Sequence, residues 1–178
     1  ILLTSGLSAA QAEPFLPGGW VKAAGNPLLS PGAPGAWDDQ YAFAPSVILD
    51  GATYKMWYAA SSTASPSRKI GYATSPDGLA WTKSGTAALL SPGAAGSWDA
   101  NGVSFPMVIK DGSTYKMWYT GMDASGIGRV GYATSPDGIT WTKSASNPVL
   151  NVGAGGPWHS PYAGMVGVDK ICAAYTVW

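Results

Sequence analysis

The sequence has little charge, one cysteine and one histidine, and each shortage excludes a class of protein. Charged residues make up 11% of the 178 residues, and ten basic side chains balance ten acidic ones. Without a basic excess, the chain lacks the electrostatic footprint of a nucleic-acid-binding protein. A single cysteine excludes a disulfide framework and a cysteine-based metal site. No apolar run reaches the ~18 residues of a membrane-spanning helix. We therefore expect no nucleic acid, membrane, metal or cofactor as a partner.

The composition that is present favours an all-β fold. Hydrophobic residues reach 46% and aromatic residues 12%, which is enough material for a packed core. The 24 glycines and 14 prolines stand in many turn-like clusters. Such clusters are typical of many short strands rather than of long helices.

The first twelve residues read ILLTSGLSAAQA. An apolar stretch followed by small residues resembles the end of a secretory signal peptide with its cleavage site. We therefore interpret residues 1–12 as a signal-peptide remnant and expect a secreted, extracellular or periplasmic protein. The other interpretation is a disordered or strand-forming leader.

Internal repeats are the strongest feature of the sequence. The string YKMWY occurs at 54–58 and at 115–119, and GYATSPDG occurs at 71–78 and at 131–138. Both pairs recur after about 60 residues. The nine tryptophans fall into three columns with the same spacing: Trp20, Trp81 and Trp141; Trp37, Trp98 and Trp158; Trp57, Trp118 and Trp178.

Each repeat reads as four antiparallel strands, which is the pattern of one β-propeller blade. The Asp-Gly dipeptides predict tight hairpins between the strands. Residues 37–83 and 98–143 form two blades, 20–22 a closing strand, and 158–178 an incomplete blade. We thus predict a partial propeller of about three blades over residues 18–178. Because an open arc leaves two apolar sheet faces wet, we expect a longer chain or self-association to close the ring.

Strand direction separates the two ends of these blades. The Asp-Gly hairpins lie at one end, where Asp50, Asp77, Asp111 and Asp137 are interpreted as structural turn residues. The connections that lead into each first strand lie at the other end, where propellers bind their ligands. There the sequence places tryptophan beside carboxylate, amide or imidazole groups, as sugar binding requires. The predicted substrate-binding residues are Trp37, Asp38, Asp39, Trp98, Asp99, Asn101, Trp158 and His159.

A structural role is the alternative for these residues. Each tryptophan would then fill a gap between blades, and each aspartate would cap a loop. The regular spacing favours this alternative for the tryptophans and leaves it open for the polar residues. His159, the only histidine, has no partner at metal-ligand spacing.

The pattern formed by GxWD, PxVIxDGxxYKMWY and IGYATSPDGxxWTK resembles the five-bladed propeller glycosidases: arabinanases, β-xylosidases, levansucrases and invertases. The resemblance covers about residues 18–160 and implies a ring of five blades. Such enzymes use two carboxylates on inner strands. In the resembling families, one is commonly an aspartate just before the proline of an inner strand. Ala44 and Phe105 occupy the matching positions here, so no catalytic residue is carried over.

The sequence therefore predicts a secreted carbohydrate-active protein of the propeller glycoside hydrolase type, with an incomplete catalytic set and an oligo- or polysaccharide as partner. The alternative is a non-catalytic propeller that binds glycans or serves as an interaction scaffold. Near-identical blades favour this alternative, because a catalytic ring has to differentiate its blades.

Overall fold

The computed structural model describes residues 23–153, 163–164, 167–171 and 174–177. This part of the chain is all-β, which confirms the predicted fold class. Within it, no helix has the length and hydropathy of a membrane span. The predicted leader 1–12, the predicted strand 20–22 and the predicted site residues Trp158 and His159 lie outside the described residues.

Ten strands make up the described part of the chain. Their bounds are β1 (Tyr41–Asp50), β2 (Thr53–Ser61), β3 (Lys69–Ser75), β4 (Thr82–Lys83), β5 (Gly102–Asp111), β6 (Thr114–Met122), β7 (Gly128–Ser135), β8 (Thr142–Lys143), β9 (Val168–Ile171) and β10 (Ala174–Val177).

The strands form two four-stranded antiparallel sheets and one two-stranded sheet. The sheets follow the chain order β1-β2-β3-β4 and β5-β6-β7-β8, and they are called the first and the second blade below. Both blades have the same register, since Trp57 lies opposite Tyr72 and Trp118 lies opposite Tyr132. β9 pairs with β10 in a separate hairpin. The assignment of 158–178 to an incomplete blade stays a prediction.

Side chains along each second strand point alternately to the two faces of the sheet, and both faces carry apolar residues. Tyr54, Met56 and Tyr58 carry what we call the first face of the first blade, and Trp57 projects from its second face. Trp57 is fully buried and lies 5.9 Å, between ring centroids, from Tyr115 of the second blade. The largest apolar cluster therefore forms between the two blades, which stack face to face.

At the hairpin end, one aspartate contacts basic and tyrosine side chains of its own unit and of the next, an arrangement that we call the clasp. The Asp50 carboxylate accepts hydrogen bonds from Lys55 of its own blade and from Lys110 and Tyr115 of the second blade. Hydrogen bonds from Lys110, Lys55 and Tyr115, in that order, hold the pKa of Asp50 well below its usual range.

The same clasp recurs one repeat later. Asp111 accepts hydrogen bonds from Lys116 of the second blade and from Lys170 and Tyr175 of the β9-β10 hairpin. This hairpin therefore stacks on the second blade as the second blade stacks on the first.

The Ser-Pro-Asp-Gly turns are structural, as the sequence predicts. One oxygen of the Asp77 carboxylate accepts the backbone N–H groups of Leu79 and Ala80, each at 2.8 Å. The indole N–H of Trp81 closes the turn on the carbonyl of Gly78. These carboxylates are used within their own loops.

The first face of the first blade is only partly covered among the described residues, where Met56 and Tyr58 pack against Trp37. Val47 on this face is 45% exposed, whereas Val108, its counterpart in the second blade, is 2% exposed because the first blade covers it. The two blades thus differ in environment although they share their sequence pattern.

Candidate functional site

The candidate site lies where the inner strands β1 and β5 begin, which we call the funnel end. Both strands bulge there, because their register shifts between Phe43 and Ser46 in β1 and between Ser104 and Met107 in β5. A bulge re-aims side chains and interrupts the ladder beside a site. The proline within each shift has no N–H to donate, so it is tolerated at an irregular position.

The residue before each of these prolines has a left-handed backbone. Ala44 has a φ of 49° and Phe105 a φ of 50°. For residues other than glycine, such a conformation costs about 1–3 kcal/mol and persists only where its surroundings impose it. In β1 the hydroxyl of Ser46 accepts the N–H of Val108 at 2.9 Å, which fixes the strand against the second blade. Both blades therefore maintain a special backbone at one equivalent point.

An aromatic pair stands at these bulges. The rings of Phe43 and Phe105 meet edge to face, with centroids 5.8 Å apart, and both side chains are half-buried. The guanidinium carbon of Arg68 lies 5.6 Å from the centroid of Phe43. The funnel end thus presents apolar ring surface beside a cation.

The structure places the predicted residues Trp37 and Asp38 on the first face of the first blade. Asp38 is buried, and its carboxylate accepts hydrogen bonds from Lys83 at 2.5 Å and from the Tyr58 hydroxyl at 3.2 Å. Trp37 stacks on Tyr58 at 6.1 Å between centroids. All four side chains line an open cavity of about 670 Å³.

The equivalent pair in the second blade is enclosed. Asp99 is 2% exposed and accepts hydrogen bonds from Lys143 at 2.6 Å and from the Ser97 hydroxyl at 2.9 Å. Trp98 packs against the cluster between the blades and covers Gly131. The two Trp-Asp pairs thus link the loop before an inner strand to the outer strand of the same blade.

The remaining predicted residues occupy loops. Asp39 accepts the backbone N–H groups of Thr63 and Gly35, and these bonds, the one from Thr63 foremost, lower its pKa. Asn101 is exposed and lines a second cleft together with Arg68. Of the predicted residues that the structure describes, only Asn101 lines the same cleft as Arg68. A role in binding stays a prediction for all of them.

The acidic side chains that the structure describes are all engaged. Six of them accept hydrogen bonds from their own loops or clasps, and Asp38 and Asp99 form the buried ion pairs. No three histidine, cysteine, aspartate or glutamate side chains come together within the described ranges. In this arrangement the described carboxylates stabilise the blades.

Comparison with solved structures relates this geometry to known folds. A glycosyl hydrolase from Bacteroides ovatus superposes with a TM-score of 0.61 at 22% identity, covering 68% of this chain and 39% of that one. A family 117 glycoside hydrolase from Zobellia galactanivorans gives 0.64 at 20% identity, covering 79% and 48%. Fructan 1-exohydrolase IIa from Cichorium intybus gives 0.52 at 21% identity, covering 66% and 22%. The fold is that of the propeller glycoside hydrolases.

Sequence comparison adds one relative but no activity. An uncharacterised protein of Mycobacterium tuberculosis, found in two strains, is 33% identical over 113 residues, which is 61% of this chain. The chain spans 36% of that relative's length, and less than half the length of each solved structure above. No family model matches the chain.

The bulges coincide with a position that the sequence resemblance singles out. The resemblance implies an aspartate before the proline of an inner strand, and Ala44 and Phe105 occupy that place in the two described blades. Neither side chain can ionise. Both described blades thus have a left-handed backbone and no carboxylate at this position.

Three residues of the funnel end are absent from the predicted binding set: Phe43, Phe105 and Arg68. All three fall outside the tryptophan-centred motifs. The sequence nevertheless distinguishes Arg68, because glycine stands at the equivalent position 128 of the next repeat. A departure from an otherwise regular repeat marks a residue that the shared fold does not require.

Proposed function

We propose that this chain is the part of a carbohydrate-active propeller protein that holds an oligo- or polysaccharide at the funnel end, without supplying a general acid and base. One observation carries the proposal: both inner strands keep a strained residue before proline, yet that residue is Ala44 in one and Phe105 in the other. Strain of this kind concentrates at functional sites. The half-buried Phe43 and Phe105 rings offer the apolar surface on which a sugar stacks.

The experiment measures binding and turnover with the same preparations. Arabinan, xylan and fructan are included in native gels to detect retardation of the chain, and sugar release is followed by a reducing-end assay. Phe105→Ala removes one of the two phenylalanine rings at the bulges, and we expect it to weaken binding about tenfold, or about 1.4 kcal/mol. Leu79→Ala is the matched control, because it removes an exposed apolar side chain at the hairpin end.

The outcomes separate the two candidate functions. Retardation without sugar release, lost in Phe105→Ala and kept in Leu79→Ala, supports binding. Sugar release that is abolished by Asp38→Asn or Asp39→Asn would show a hydrolase and contradict the non-catalytic part of the proposal. A folded chain that binds neither these polymers nor an acidic polysaccharide would refute it altogether.

Hydrolysis by the whole protein is the second candidate. It is supported by the names of the structural neighbours, which are glycoside hydrolases. In that case the acid and the base are carried by residues outside those that the structure describes. Sugar release by a longer protein that includes this chain, with none by the chain alone, would support this candidate, and no release by either would contradict it.

We also propose that a further blade, from the same chain or from a second copy, covers the first face of the first blade. The contrast between Val47, 45% exposed, and Val108, 2% exposed, supports it. Sedimentation of the chain tests the second-copy form: Val47→Asp should reduce any dimer, whereas Leu79→Asp at the hairpin end should not.

Export of the protein remains a proposal that rests on residues 1–12. Fusing this segment in its natural reading frame to a reporter and fractionating the cells would test it.

A further inference from the structure

Arg68 is a departure from the repeat that blade stacking does not explain. The carbonyl of Arg68 accepts the N–H of Val103 at 2.9 Å, and the carbonyl of Gly128 accepts the N–H of Ala163 at the same distance. Glycine therefore performs this backbone role without any side chain. The guanidinium of Arg68 is consequently not needed to join one unit to the next.

The guanidinium also lacks the partner that other cations of the blades have. Seven basic side chains form ion pairs with aspartates, among them Arg129, which pairs with Asp123 at 2.8 Å. Among the described residues, Arg68 and Lys69 form no ion pair. The half-buried Arg68 instead lies over the ring of Phe43, which leaves its N–H groups available to an anion.

A small cleft brings polar groups to the same point. Its volume is about 140 Å³, which is room for a charged substituent of a sugar rather than for a whole polymer. It is lined by Pro66, Arg68, Asn101, Gly102, Ser104 and Met122. The amide of Asn101 is exposed and the hydroxyl-bearing Ser104 is buried, so both a donor and an acceptor adjoin the cation.

These groups match one class of sugar. A planar guanidinium binds a carboxylate through two parallel hydrogen bonds, which is stronger and more specific than a neutral contact. The adjoining Phe43 and Phe105 rings supply surface for the sugar ring itself. A neutral polymer would leave the guanidinium unpaired.

We propose that the funnel end binds an acidic oligosaccharide, with the carboxylate of a uronic acid residue on Arg68 and the sugar ring against Phe43 and Phe105. This inference rests on the proposed carbohydrate-binding function and names its substrate class. It makes Arg68 the residue that selects an acidic sugar. The Arg68 side chain takes no part in the turns or in the Asp50 and Asp111 clasps.

The test uses two polymers that differ in whether their carboxyl groups are free or methyl-esterified. Polygalacturonate and its fully methyl-esterified form share a backbone, so the difference in affinity of the chain isolates the carboxylate. We expect at least tenfold tighter binding of the free acid in calorimetry at low salt. Arg68→Met should abolish this preference, and Arg68→Gly, which copies the residue of the next repeat, should do the same while folding normally.

The control variant is Lys69→Met, which removes the neighbouring unpaired cation and should change affinity less than twofold. Equal losses in Lys69→Met and Arg68→Met would overturn the inference, because the attraction would then be general. Arg68-dependent binding of dextran sulfate as tight as that of polygalacturonate would overturn the assignment to carboxylates. Binding of neutral arabinan but not of polygalacturonate would overturn this inference alone. Binding of no polymer would overturn the proposed function with it.

Discussion

Replacing Trp57 by alanine removes the largest side chain buried between the two blades. The indole is fully buried, among the rings of Tyr72, Tyr115 and Trp141. A tryptophan of about 250 Å², at ~25 cal/mol/Å², corresponds to about 6 kcal/mol of transfer free energy. Measured truncations of large aromatic residues cost about 3–5 kcal/mol. We expect Trp57→Ala to lower the free energy of unfolding by about 4 kcal/mol.

The hydrogen bond of Trp57 makes a smaller contribution. Its indole N–H donates to the carbonyl of Gly138 at 2.8 Å, and that carbonyl also accepts the indole N–H of Trp141 at 3.1 Å. The carbonyl therefore keeps a partner when Trp57 becomes phenylalanine. Trp57→Phe should cost only about 1–2 kcal/mol.

Urea unfolding, followed by fluorescence and circular dichroism together, measures these differences. Trp81→Ala is the matched control for Trp141→Ala. The two indoles donate to glycine carbonyls in equivalent turns of the two blades, but of the two only Trp141 contacts Trp57. A double-mutant cycle of Trp57 with Trp141 should show a coupling of about 1 kcal/mol, and one with Trp81 should be additive. A loss below 1 kcal/mol in Trp57→Ala would refute the stacked blades.

Three further predictions concern stability. Lys143→Met leaves the buried Asp99 unpaired and should cost about 3 kcal/mol in urea unfolding, part of which Asp99→Asn recovers; no recovery would contradict a buried ion pair. Gly131→Ala places a Cβ 2.6 Å from the ring of Tyr119 and should lower the melting temperature further than Gly25→Ala, whose Cβ lies 3.9 Å from the nearest side-chain atom; equal shifts would contradict this close approach. Burial, aided by Asp99, raises the pKa of Tyr119. Because the unfolded tyrosine ionises near pH ~10, the folded state holds more protons above that pH and loses stability as pH rises, a loss that Tyr119→Phe should reduce.

Repetition made the blades predictable from sequence. The repeated string GYATS, at 71–75 and 131–135, lies in both third strands, which end at Ser75 and Ser135. The four-strand pattern also holds, although each fourth strand has only two residues. The tryptophan just before each fourth strand donates its indole N–H to a glycine carbonyl of its own turn.

The bulges could not be predicted in the same way. A residue before proline is expected in the extended region, so nothing in Ala44-Pro45 or Phe105-Pro106 indicates a positive φ. In β1 the nearby Ser46 hydroxyl accepts a hydrogen bond from Val108 of the second blade, a tertiary contact that no local pattern indicates. The ion pairs of Asp38 and Asp99 with lysines of the outer strands are likewise tertiary contacts over more than 40 residues. The lysine of the repeated WTK string forms each ion pair, but no local rule connects that string to the Trp-Asp loop.

A crystal structure of the chain with a bound trigalacturonate tests the central claim most directly. The account predicts density for the sugar at the funnel end, with a carboxylate on Arg68 and a ring against Phe105 or Phe43. Density at the hairpin end instead, beside the turns of Asp77 and Asp137, would contradict it.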